Sequence, residues 1–126
     1  IGIGRGELLP YASYYMTGFL NEKPLATLRL DMARLGLARS ENVFEPEDNI
    51  ASLMEIMAAM IVGRFAEPVP LAEQRTFFNA HIAPWARVFF ADLEAAEGSV
   101  FYAPVGTVGR TFIEGVAEAF RISGTA

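Results

Sequence analysis

Cysteine is absent from this sequence and histidine occurs once, at position 81. Without thiols there is no disulfide framework, zinc ribbon, iron–sulfur ligation or thiol nucleophile, and nothing in the chain demands an oxidising compartment. No Glu-x-x-His or His-x-x-x-His spacing surrounds His81, so a helical metal site lacks its paired ligands. Hydrolytic catalysis fails at its first step as well, because no Gly-x-Ser-x-Gly elbow exists and a triad would have to recruit His81 from an apolar helix face. The longest apolar run, 50–62, is broken by Glu55 and is shorter than the ~20 residues a bilayer crossing needs. Strict two-residue alternation between hairpin turns is missing too, so strands are not expected. Glycines 2, 4 and 6 resemble a phosphate loop only superficially, since no strand precedes them and no Gly-Lys-Ser/Thr follows. These absences predict no catalytic residue, no metal and no cofactor. No signal-peptide pattern opens the chain, which starts at Ile1 rather than methionine, and a longer parent is expected.

What is present points to one packed body. At 126 residues with 52% hydrophobic and 20% charged residues, the chain falls in the range of a single globular domain, 1–126, and outside that of disordered sequences. Fifteen acidic residues against ten basic give a formal charge of −5. That balance repels a phosphate backbone and attracts a cationic segment, so nucleic acid is not expected as a partner and an arginine-bearing peptide suits the surface.

Apolar spacing of three and four predicts helices throughout. One is expected over 24–35, with Leu25, Leu28, Met32 and Leu35 on a face and Gly36 as its stop. Another should start at Pro46 and carry Ile50, Leu53, Met54, Met57, Met60 and Ile61, weakening at Gly63. A third is expected over 71–82, and a fourth over 84–96 burying Trp85, Val88, Phe89 and Leu93 before Gly98. A last one, 104–122, presents Val105, Val108, Phe112, Val116 and Phe120, with glycines 106, 109 and 115 placed to admit close packing. The fold class expected is all-α, a helical bundle.

Three segments then carry a resemblance: Pro10-Tyr11-Ala12-Ser13-Tyr14-Tyr15, Glu45-Pro46-Glu47-Asp48-Asn49, and His81-Ile82-Ala83-Pro84-Trp85 followed by Phe89-Phe90 and Phe101-Tyr102. In this order and at these intervals they resemble the TorD/DmsD/NarJ family of redox-enzyme maturation chaperones, and the wording over 15–26 looks most like members associated with formate dehydrogenase. The resemblance implies an all-α TorD-like bundle, here without the family's N-terminal helices. It also implies no enzymatic turnover and a cytoplasmic chaperone that binds the twin-arginine signal peptide or the apoprotein of a molybdoenzyme during cofactor insertion. The family's leader-binding surface maps onto Pro10, Tyr11, Ser13, Glu45, Pro46, Asp48 and Asn49. At position 49 the family pattern has histidine, and asparagine keeps a hydrogen-bonding side chain while losing the option of charging near neutral pH.

Each of these residues also has a plain structural explanation. Proline in a first turn with carboxylates around it is an ordinary helix start, although carboxylates beside aromatic rings also suit an arginine pair. Among Tyr11, Tyr14 and Tyr15, at least one should be exposed, and Tyr11 is the expected contact. His81 and Trp85 are expected to pack, and methionines 54, 57 and 60 to line the core. Two rival functions remain on sequence grounds: a small nucleotide- or metal-binding helical enzyme using the glycine-rich opening, and a structural assembly subunit forming homodimers or exchanging helices through an exposed apolar face.

Overall fold

The computed structural model describes residues 8–37, 45–63, 67–96 and 102–123, with 102–104 described by backbone alone. The expectations at glycines 2, 4 and 6, at Gly98 and at Phe101 lie outside the described residues. Among the described residues six helices follow in order: α1 (Ala12–Thr17), α2 (Lys23–Arg34), α3 (Ile50–Val62), α4 (Leu71–His81), α5 (Ala86–Ala95) and α6 (Tyr102–Ser123). The described residues contain no strand, only one isolated antiparallel bridge between Tyr11 and Asn49. The chain is an all-α helical bundle.

Proline in its first turn and a left-handed glycine after its last turn frame α2. Gly36 sits at φ 75, and its N–H reaches the Ala33 carbonyl at 3.1 Å while the Leu37 N–H reaches that of Met32 at 2.8 Å. This double closure satisfies two orphan carbonyls and stops the helix. Leu25, Leu28 and Met32 are buried, as their spacing predicts.

The start of α3 differs from expectation. It begins at Ile50 rather than Pro46, because Asn49 takes over the cap: its Oδ1 accepts from Ser52 N at 2.9 Å, and its Nδ2 donates to the Pro46 carbonyl at 2.9 Å. A side chain that bonds the backbone on both sides offers 46–48 an alternative to helix, so Pro46 lies in the preceding turn. Met57 and Met60 are buried and Met54 is half-buried, whereas Ile61 is exposed.

Expectation and structure agree on α4 to within a residue. In α5, Trp85 is buried but stands just ahead of the helix at φ −138, so the phase counted from it does not carry to Val88, which is exposed.

The phase of α6 is also corrected. Gly106, Ile113 and Phe120 face inward, while Val105, Val108 and Phe112 are exposed. Contact with α5 sets this phase: a Cβ on Gly106 would lie 2.4 Å from the Glu94 backbone nitrogen, and one on Gly109 2.3 Å from the Phe90 ring. Only glycine allows the two backbones so close, and that approach rotates the stripe of larger residues away from the core.

The core joins Leu28 and Met32 of α2, Leu53, Met57 and Met60 of α3, Phe77 and Phe78 of α4, and Ile82, Trp85 and Phe89. Each such side chain contributes roughly 1.5–3 kcal/mol when fully buried. The Trp85 indole N–H donates to the His81 carbonyl at 2.8 Å, and the Phe78 and Phe120 rings meet at 5.4 Å, tying α6 to α4. Among the described residues, no helix is long and apolar enough to cross a membrane.

Candidate functional site

The two segments that precede α1 and α3 meet. Ala12 N donates to the Asp48 carbonyl and Ile50 N to the Pro10 carbonyl, each at 2.9 Å, so residues 10–12 and 48–50 run antiparallel as one short rung. Tyr11, at the N-cap of α1, supplies no side-chain cap. Asp48 supplies it instead, its Oδ2 accepting from Ser13 N at 2.8 Å across 35 positions of sequence. The carboxylate thereby satisfies one of the helix's free N–H groups and sits at the positive end of its dipole. The Ser13 hydroxyl accepts from Glu22 N at 3.2 Å, which fixes the path into α2. Glu47 is held by Arg29 of α2, with Nη2 to Oε1 at 2.8 Å and Nε to Oε1 at 3.2 Å, and this pairing raises the arginine's pKa further.

All seven residues named from the resemblance therefore belong to one junction, but not in one role. Ser13 is fully buried and Asp48 is 1% exposed. Neither side chain lies at the surface, and Asp48 holds the two segments together through Ser13 N. The Asp48 Oδ1 is buried without a hydrogen-bond partner among the described residues. Asn49 is engaged as the α3 cap. Pro10, Tyr11 and Pro46 are half-buried and Glu45 is exposed. The Tyr11 hydroxyl donates to Glu45 Oε1 at 2.5 Å; burial first, then this bond and the charges of Glu45 and Asp48, push its pKa up to about 12. Tyr11 and Glu45 are the pair the junction leaves at the surface.

The other two tyrosines divide as expected. Tyr14 is 37% exposed. Tyr15 packs on Trp85 at 5.5 Å and Phe89 at 5.9 Å, and its hydroxyl donates to Asp92 at 2.8 Å. His81 is buried as a packing residue, its ring 4.7 Å from that of Phe77 and its Nε2 2.5 Å from Asp31 Oδ2. Asp31 also faces Arg34, which pairs with Glu73 at 3.0 Å, so the cluster links α2 to α4.

Sequence reasoning missed a cleft. Between α1, the start of α2 and the end of α4 lies a cavity of about 290 Å³, lined by Ala12, Met16, Thr17, Pro24, Thr27 and Ala80, with His81 in its wall and Lys23 beside them. Exposed Met16, Phe19 and Leu20 stand on the α1 side and the turn that follows. The run of apolar residues just ahead of the polar turn 21–23 was the available signal, but a short segment leaves its direction open. Among the described residues, no group of three His, Cys, Asp or Glu side chains is placed to hold a metal.

The fold is thus a helical bundle with two loop segments clamped together and an apolar cleft alongside. Residues 1–91 match the family model described as nitrate reductase delta subunit, and the chain belongs to that family. It is also similar to chaperone proteins named TorD. The chaperone protein TorD of Photobacterium profundum is 29% identical over 102 residues, covering 75% of this chain and 47% of that protein. Chaperone protein TorD of Vibrio cholerae serotype O1 (strain ATCC 39541) is 26% identical over 117 residues, covering 87% and 53%. That of Vibrio parahaemolyticus serotype O3:K6 is 39% identical over 56 residues, covering 43% and 26%. The chain spans about half the length of the curated relatives that cover most of it. No solved structure matches it significantly.

Proposed function

We propose that this chain acts as a cytoplasmic chaperone in redox-enzyme maturation, binding without turnover the twin-arginine leader or the apoprotein of a molybdenum oxidoreductase. The sequence around 15–26 favours formate dehydrogenase as the client. The observation that carries the reading is the clamped junction: Asp48 and Ser13 are spent on holding residues 10–13 against 45–49, and what this leaves outside is the Tyr11–Glu45 pair. A carboxylate beside a phenol ring accepts a guanidinium by hydrogen bonding and stacking. The apolar part of a leader has a seat in the neighbouring cleft beside Met16, where buried area supplies affinity while charge at Glu45 supplies specificity. Lys23 repels arginine from the cleft, which favours the junction for the arginines.

Titration of the purified protein with a twin-arginine leader from a molybdoenzyme subunit tests this. The Tyr11→Ala, Glu45→Gln double variant is expected to bind about tenfold or more weakly at low salt, with the helical signal unchanged. Equal binding by the variant and the parent would remove the junction as the site.

A further inference from the structure

The polar groups around the cleft between α1, α2 and α4 differ in what they have left to bond. The Thr17 hydroxyl is engaged, donating to the Ser13 carbonyl at 2.7 Å and accepting from Phe19 N at 3.2 Å. Exposed Lys23 offers only donors. His81, 5% exposed in the wall, has two ring nitrogens in different situations. Nε2 lies 2.5 Å from Asp31 Oδ2. Nδ1 has no hydrogen-bond partner among the described residues, and of their sealed side-chain oxygens and nitrogens only Asp48 Oδ1 lacks one. Nδ1 is therefore not sealed but open to the space that His81 borders, which is the cleft.

An ionised carboxylate only accepts hydrogen bonds, so a neutral imidazole beside Asp31 keeps its proton on Nε2 and leaves Nδ1 as an acceptor. The ring is held in that orientation. Arg34 lies 3.7 Å from Asp31 and pairs with Glu73 at 3.0 Å, which fixes the carboxylate, and the Phe77 ring packs against the imidazole at 4.7 Å. Turning the ring to give Nδ1 another partner would break the bond to Asp31.

A purely apolar occupant would cut Nδ1 off from water, at a cost of roughly 1–3 kcal/mol. The occupant must therefore bring a donor. A guanidinium or ammonium donor would meet the charge of Lys23, so the donor is neutral. It should also accept, because Lys23 only donates, and a serine or threonine hydroxyl is the smallest neutral side-chain group that does both. We propose that His81 is a specificity-determining residue of the cleft, its Nδ1 accepting a hydrogen bond from a serine or threonine hydroxyl set among the apolar residues of the client segment. This rests on the reading of the cleft as the seat of the leader's apolar part.

His81 is the chain's one histidine, so nitrogen NMR of isotope-labelled histidine follows its ring in the intact protein. The free protein should carry the ring proton on Nε2. Saturation with a twin-arginine leader from a molybdoenzyme subunit should move the Nδ1 signal. The same leader with every serine and threonine replaced by alanine should bind about tenfold more weakly and leave that signal near its free position. His81→Phe keeps a ring against Phe77 and should bind both leaders alike. A free protein with the proton on Nδ1, an Nδ1 signal unmoved by the bound leader, or a His81→Phe variant that still prefers the hydroxyl-bearing leader would overturn the assignment. A leader that fails to bind at all overturns the proposed function along with it, whereas one that binds with Nδ1 unmoved removes only the part given to His81.

Discussion

Asp48 shows why the residues of the site and their roles separate. A carboxylate in a turn is normally solvated, and nothing local indicates that this one caps a helix begun 35 positions earlier. The resemblance brought Pro10, Tyr11, Ser13, Glu45, Pro46, Asp48 and Asn49 to notice, yet burial decides which of them a partner can reach. Because Asp48 Oδ2 holds Ser13 N in the interior, Asp48→Ala is expected to destabilise the fold by about 1–3 kcal/mol, seen as a lower midpoint in urea. An unchanged midpoint would mean that the clamp contributes nothing. Tyr11 gives a prediction in pH. Its pKa is raised by the fold to about 12 from the ordinary value of 10.0, so the folded state holds the phenol proton more tightly than the unfolded one. The resulting stability is complete below the unfolded value and is lost as pH rises through the interval between the two. Tyr15, held by burial and by Asp92, shifts the same way. Tyr11→Phe should therefore remove part, not all, of the alkaline loss of stability, measured by unfolding across that interval.

At the scale of elements, periodicity located the helices and missed two phases. Spacing alone placed α2 and α4 because each has one apolar face and a clear stop. It put the start of α3 at Pro46 because proline commonly opens helices, and the capping chemistry of Asn49 competes locally in a way spacing does not register. On α6 it placed Phe120 and Val116 against the core but put Val105, Val108 and Phe112, which are exposed, on the same face, because both sides are apolar there and the choice is made by glycines that contribute no hydrophobic signal. The structural role of those glycines is testable. Gly109→Ala would push a Cβ into the Phe90 ring and Gly106→Ala into the Glu94 backbone, so both should destabilise, by about 1–3 kcal/mol. Gly106→Ala should be the worse, since a backbone yields less than a ring. A stabilisation by either, as alanine's helix propensity alone would give, contradicts the α5–α6 packing described.

For the whole molecule, the legible part was the class: an acidic, cysteine-free helical bundle with no motif for turnover. The pairing of 10–13 with 45–49, and the cleft bounded by α1, α2 and α4, are tertiary facts that no single segment announces. The proposal of a cationic, apolar peptide as partner rests on these two features together. The most direct measurement is amide hydrogen exchange with and without a twin-arginine leader at saturating concentration. The account predicts slowed exchange in α1, in the turn that follows it and around 45–49, with α5 unchanged. Protection confined to other helices, or none at all, would contradict it.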